Sequence, residues 1–176
     1  LLFILTFISC SHLPQNKMDK IYVVERERES LFVLENNQEK EIPGLGNLNH
    51  ATMKFRDGSG YVLARDGYIS KVDIATDKIV KKVKIGKSGI GITFIGENIA
   101  VVNYDPNSVV ILDKDLNILK TIETNSRNVG IKSYKNKLIF SLMDKNEIWV
   151  LDASHDFEKV HVENNIGALP FDALIN

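Results

Sequence analysis

Seven polar residues stand at related places along this 176-residue chain, and their types suit the binding of an anion or a metal. His50 offers an imidazole, which when neutral is an ordinary ligand for iron or zinc and can also carry a proton. Arg65 and Arg127 each offer a planar guanidinium whose paired N–H groups match a carboxylate. Asn103 and Tyr104 add an amide and a phenol, Asn49 adds an amide beside His50, and Asp172 adds a carboxylate. Each residue also has a plainer reading. A loop histidine can simply hydrogen-bond to backbone, an arginine can pair with a nearby acid such as Asp66, and Asn103-Tyr104 lead into Asp105-Pro106-Asn107, which is turn chemistry by itself. Burial of an unpaired carboxylate at Asp172 would be costly, so exposure toward an open channel is expected.

The elements that must position these residues form a repeat. Four hydrophobic runs close on an acid, at Glu35, Asp73, Asp113 and Asp152, with steps of 38, 40 and 39 residues. A second set keeps the same step: Ala51–Phe55, Ile90–Phe94, Val129–Ser133, with Phe171–Ile175 slightly late. A third set is Ile21–Val24, Tyr61–Ala64, Ile99–Val102 and Leu138–Ser141. After each acid comes a run that alternates apolar and charged residues, as in Lys78–Ile85, which suits an outer strand with one wet face. Turn signals such as Asp57-Gly58 and Asp66-Gly67 separate the runs, and no window carries a capped 3.6-residue apolar period. Tandem four-stranded units of this size are propeller blades. The expected fold is therefore all-β, a partial β-propeller with four blades of four antiparallel strands over residues 20–167 and the first strand of a fifth.

This register gives the polar residues a shared address. His50, Gly89, Asn128 and Pro170 fall at equivalent entries to the innermost strand, with Asn49 and Arg127 among the residues just before. Arg65, Asn103-Tyr104 and Met143 fall in the loops joining second to third strands. Those two kinds of loop share one face of a propeller, so His50, Arg65, Asn103, Tyr104 and Arg127 are expected around the channel mouth. Scaffold positions repeat while these positions differ, which a single asymmetric ligand would require. His12, His155 and His161 read as solvated, and Trp149 as core.

Composition excludes other classes. A formal net charge of −1 provides no field to hold a polyanion, and nucleic acid is not an expected partner. Cys10 is the only cysteine, so no intrachain disulfide and no cysteine metal cluster can form. Leu1–Ile8 is apolar, too short for the roughly 20 residues that cross a bilayer, and it runs into Ser9-Cys10-Ser11. Residues 1–10 read as a truncated signal peptide ending at a lipobox cysteine, residues 11–19 as a tether, and residues 20–176 as half of a propeller. Membrane association is expected through the lipid alone. Gly44-Leu-Gly-Asn-Leu-Asn49 lacks the third glycine and the helix of a dinucleotide fingerprint, and no Cys-x-x-Cys-His or Ser-His-acid grouping can be assembled.

Six runs in order carry a family resemblance: Asn49–Phe55, Ala64–Asp73, Val102–Pro106, Ser126–Gly130, Glu147–Val150 and Pro170–Ile175. They resemble the NirF family of heme d1 biosynthesis proteins, relatives of NirN and of the d1 domain of cytochrome cd1 nitrite reductase. The resemblance covers residues 20–176. It implies an eight-bladed propeller, a lipid-anchored periplasmic location, and a late step in heme d1 assembly in denitrifying bacteria. It also implies heme d1 or its precursor as ligand or substrate, with NirN and cytochrome cd1 nitrite reductase as partners. On that resemblance His50 becomes an axial ligand or proton-transfer group, Arg65 and Arg127 hold the tetrapyrrole carboxylates, and Asn103 and Tyr104 line the same pocket. Two functional classes follow, an oxidoreductase that modifies the tetrapyrrole and a carrier that holds it and passes it on; a generic propeller interaction module with no small ligand is the more distant alternative.

Overall fold

The computed structural model describes residues 20–172, so the reading of Cys10 as a lipidation site, together with residues 1–19, lies outside the described residues. Fifteen strands fold into antiparallel meanders, with one 3-10 turn at Ala153–His155. Strands β1 (Ile21–Glu25), β2 (Ser30–Glu35) and β3 (Gln38–Ile42) make the first sheet. The second holds β4 (Thr52–Arg56), β5 (Ser59–Leu63), β6 (Tyr68–Asp73) and β7 (Lys78–Lys84). The third holds β8 (Gly89–Ile95), β9 (Asn98–Tyr104), β10 (Asn107–Leu112) and β11 (Ile118–Glu123). The fourth holds β12 (Asn128–Tyr134), β13 (Lys137–Leu142), β14 (Glu147–Asp152) and β15 (Glu158–Asn164).

The fold is a partial β-propeller, with one correction to the expected strand count. The first sheet has three strands, because the set that opens the other units as β4, β8 and β12 has no member ahead of β1 among the described residues. The expected strand at Phe171–Ile175 is described only as far as Asp172. Phe171 runs beside β12, where its carbonyl accepts from the Gly130 amide at 2.8 Å and from Ser141 Oγ at 3.0 Å.

Middle strands read as unbroken apolar runs because both of their faces are covered. Val62 and Ala64 face the first sheet, in a cluster with Leu31, Val33 and Ile42. Their neighbours Tyr61 and Leu63 face the third, packing on Ile92, Ile99 and Val101. Ala100 and Val102 continue the pattern against Leu138, Phe140 and Trp149 of the fourth sheet. A side-chain period of two thus places every core cluster between sheets, with none inside a single sheet.

The repeating acids have a local cause. Asp73 Oδ1 accepts from the amides of Ala75 and Thr76 at 2.9 and 2.8 Å, and Asp113 Oδ1 from those of Asp115 and Asn117, both at 2.8 Å. Asp152 Oδ1 accepts from the Ser154 amide at 2.9 Å. Each carboxylate therefore shapes the turn from third to fourth strand. Glu35 differs: its hairpin turns on Asn36 and Asn37, both left-handed at φ 51° and 60°, where asparagine is well tolerated.

Candidate functional site

The inner strands meet in a cleft of about 500 Å³. Its wall is built from Thr52 and Lys54 of β4, Gly89–Ile92 of β8, Val129–Lys132 of β12, and Phe171 and Asp172. His50, Arg65 and Tyr104 complete the rim. Inner strands converge toward a propeller axis, and glycine is what lets them approach. A Cβ on Gly91 would lie 3.2 Å from both Ile131 and the Val129 carbonyl, and one on Gly130 would collide with Asp172. Ile90, Ile92, Val129 and Ile131 then supply an apolar floor.

Backbone hydrogen bonds tie the two kinds of rim loop together within each sheet. The amide of Arg65 donates to the Asn47 carbonyl at 2.7 Å, Tyr104 to Ser88 at 2.9 Å and Met143 to Arg127 at 2.8 Å. The donors are register-equivalent residues at the ends of β5, β9 and β13. Side chains at these positions are thereby held at one end of the sheets. His50 sits at a left-handed turn, φ 58°, just ahead of β4, where its side chain is exposed to the cleft.

The seven sequence candidates divide. His50, Arg65, Tyr104 and Asp172 line the cleft together. The Arg65 guanidinium lies 5.3 Å from the centroid of the Tyr104 ring, a cation–π contact that leaves its N–H fork available. No ion pair joins it to a carboxylate among the described residues, since Asp66 packs against Gly46 instead. The Tyr104 hydroxyl faces Met143 Sδ at 3.7 Å.

The other three stand elsewhere. Asn103 is fully buried behind the wall, donating from Nδ2 to the Ile85 carbonyl at 3.2 Å, and so joins the second sheet to the third. Asn128 makes the matching link, donating to the Ser108 carbonyl at 3.1 Å. Arg127 is held by Asp144, with Nη2 2.6 Å and Nε 3.0 Å from Oδ1. Hydrogen bonds from the Arg127 side chain and amide hold the Asp144 carboxyl below its ordinary pKa, and the same contact raises that of Arg127. This is the plainer of the two readings of an arginine, with Asp144 as the acid. Asn49 borders a separate depression with Val24, Glu25, Arg26 and Glu27.

Sequence reasoning missed Thr52, Lys54 and Lys132. Lys54 and Lys132 occupy equivalent repeat positions, which was the signal available. Lys132 Nζ lies 3.0 Å from Asp172 Oδ2, while Lys54 has no ion-pair partner among the described residues. The described residues contain no group of three or more His, Cys, Asp or Glu that would hold a bare metal ion. They contain no helix long and apolar enough to cross a membrane.

An apolar cleft floored by glycine-bearing strands, with His, Arg and Tyr at its rim and Lys on its wall, marks the inner-strand face of this propeller. The chain belongs to the cytochrome D1 heme domain family, whose pattern matches residues 15–176. It is 37% identical to protein NirF of Stutzerimonas stutzeri, over 87% of this chain and 44% of that protein. It is 33% identical to protein NirF of Pseudomonas aeruginosa, over 95% of this chain and 48% of that protein. The chain thus spans about half the length of these relatives. In structure it resembles dihydro-heme d1 dehydrogenase NirN, solved in complex with DHE, with a TM-score of 0.68 and 23% identity over 76% of this chain and 32% of that one.

Proposed function

We propose that this chain supplies part of the binding site for heme d1 or its tetrapyrrole precursor in heme d1 biosynthesis. The observation that carries the reading is the composition of the cleft wall: an apolar floor at Gly91 and Gly130, beside an arginine with no acidic partner among the described residues and an imidazole at the rim. A macrocycle is flat and apolar across its face and anionic at its edge. The floor suits the face, and Arg65 suits an edge carboxylate, since charge-assisted hydrogen bonds contribute about 1.5–3 kcal/mol each. In this reading His50 would hold the iron of the tetrapyrrole or carry a proton. When bound, an iron tetrapyrrole supplies the redox centre, and the chain's own residues hold, orient and desolvate it. Arg127 and Asn103 act through structure, one pinning a rim loop and the other joining two sheets.

An absorbance titration of the full-length protein with heme d1 tests the proposal. Saturable binding with a shifted visible spectrum is expected, and His50→Ala should change that spectrum through loss of the iron contact. A spectrum unchanged in the variant would remove the ligand role from His50; absence of binding by the parent would remove the proposal. Turnover of a d1 precursor by the same preparation separates an oxidoreductase from a carrier that delivers to NirN or cytochrome cd1 nitrite reductase. The apolar run ending at Cys10 supports a lipid-anchored periplasmic location. Cys10→Ala is expected to release the protein from the membrane fraction, and unchanged fractionation would refute the anchor.

A further inference from the structure

The cleft carries more positive charge than the contacts just described employ, and the inference drawn from this rests on the binding proposal. Lys54 and Lys132 on its wall and Arg65 at its rim are basic side chains, and Asp172 is the one carboxylate among the described lining residues. The protein has a formal net charge of −1, so the excess is local and does not reflect a basic chain. Like charges around an apolar floor repel one another with reduced screening, and an anion entering the cleft relieves that repulsion.

Register makes the lysines a pair. Lys54 on β4 and Lys132 on β12 each stand two residues beyond a wall residue, Thr52 and Gly130, on strands that flank β8. At the same place β8 carries Thr93, which is buried with Oγ1 3.3 Å from Ser133 Oγ. A cation is therefore placed on either side of the glycine-bearing strand, while Arg65 and His50 stand at the strand-entry rim. Asp172 fixes Lys132 from the cleft side, at 3.0 Å.

We infer that Lys54 and Lys132 form a second carboxylate-binding tier. The ligand is then a planar tetrapyrrole acid with carboxylates on more than one edge, gripped by Arg65 at the rim and by the lysines along the inner-strand wall. The lysines select for acid substituents that a single arginine would leave unread.

The test compares heme d1 with its fully esterified form, titrated into the full-length protein. The parent is expected to prefer the free acid by well over 10-fold, and affinity for the acid should fall as salt is raised. Lys54→Met and Lys132→Met keep the apolar stem; Lys54→Met should weaken binding of the acid about 10-fold and Lys132→Met, whose ammonium is shared with Asp172, by less, and both should leave the ester nearly unaffected. Lys54→Arg and Lys132→Arg should retain the preference. Met variants that keep the parent's acid-to-ester ratio would overturn the second tier while leaving the binding proposal intact. A parent preference below about 10-fold would overturn it without any variant. Failure of the parent to bind either compound would end both.

Discussion

Two charged places in this molecule follow opposite rules. Between the first and second sheets, Asp77 is nearly buried, its side chain 2% exposed, and everything around it is matched. Lys20 donates to Oδ1 at 2.9 Å, Lys40 to Oδ2 at 2.8 Å and the Tyr22 hydroxyl to Oδ1 at 2.8 Å. In the cleft, by contrast, Arg65 and Lys54 have no acid beside them among the described residues. Charges that hold a fold arrive with their partners, since an unpaired one inside protein is costly. The proposed anion site keeps cations in reserve, and that imbalance is what supports the proposal.

The comparison is broken most severely at Asp77. Asp77→Ala removes the acceptor shared by Lys20, Lys40 and Tyr22, leaving Lys20 with Glu35 and the Ile74 carbonyl, and is expected to cost about 2 kcal/mol of stability by urea denaturation. A loss under about 1 kcal/mol would mean that the cations swing out to water freely and that the matching is incidental. Binding of heme d1 by the refolded fraction should be unchanged, because Asp77 is not part of the cleft.

Arg65→Ala comes next and tests the other side. Binding of heme d1 should weaken about 10-fold or more, equivalent to roughly 1.4 kcal/mol, with no loss of stability. Stability that fell while binding held would invert the assignment.

Acid titration sharpens the contrast further. Burial pushes the Asp77 carboxyl up, but hydrogen bonds from Lys40, Lys20 and Tyr22 outweigh it and hold the group below its ordinary value of 3.8. Asp152 is held well below the usual carboxylate range, first by Lys137 and then by Ser154. A folded pKa below the unfolded one stabilises above the unfolded value, and that stability is lost as pH falls through 3.8 toward the folded value. Denaturation midpoints should accordingly drop below about pH 4, and Asp77→Asn should flatten that drop. An equally steep drop in the variant would assign the acid sensitivity elsewhere.

Arg127→Ala should have the smallest effect on binding, within about twofold, because its guanidinium is already committed to Asp144; a loss comparable to that at Arg65 would show that the pair opens for the ligand.

The strands were legible for a physical reason: alternation with a period of two shows wherever one face is wet, and an unbroken apolar run shows wherever neither is. Lys78–Lys84 and Ile99–Val102 are the clear examples. The closing acids were legible as a repeat, though their work in the turns needed the amides they accept from. What sequence spacing does not contain is which way a rim side chain turns. Asn103 and Tyr104 are adjacent, yet one is buried in a sheet junction and the other faces the cleft. The Arg127–Asp144 pair spans 17 residues and depends on two loops meeting. In the sequence nothing marks Lys54 and Lys132 beyond their shared repeat position. Only convergence of the inner strands turns the face that carries them into a wall.

The placement of every core cluster between sheets also sets how the molecule comes apart. Each sheet owes its burial to its neighbours, so stability passes along the row as in a line of coupled units, each term shared by two adjoining members. Hydrogen exchange should therefore be slow in β5 and in β9 and β10, whose two faces are both covered among the described residues.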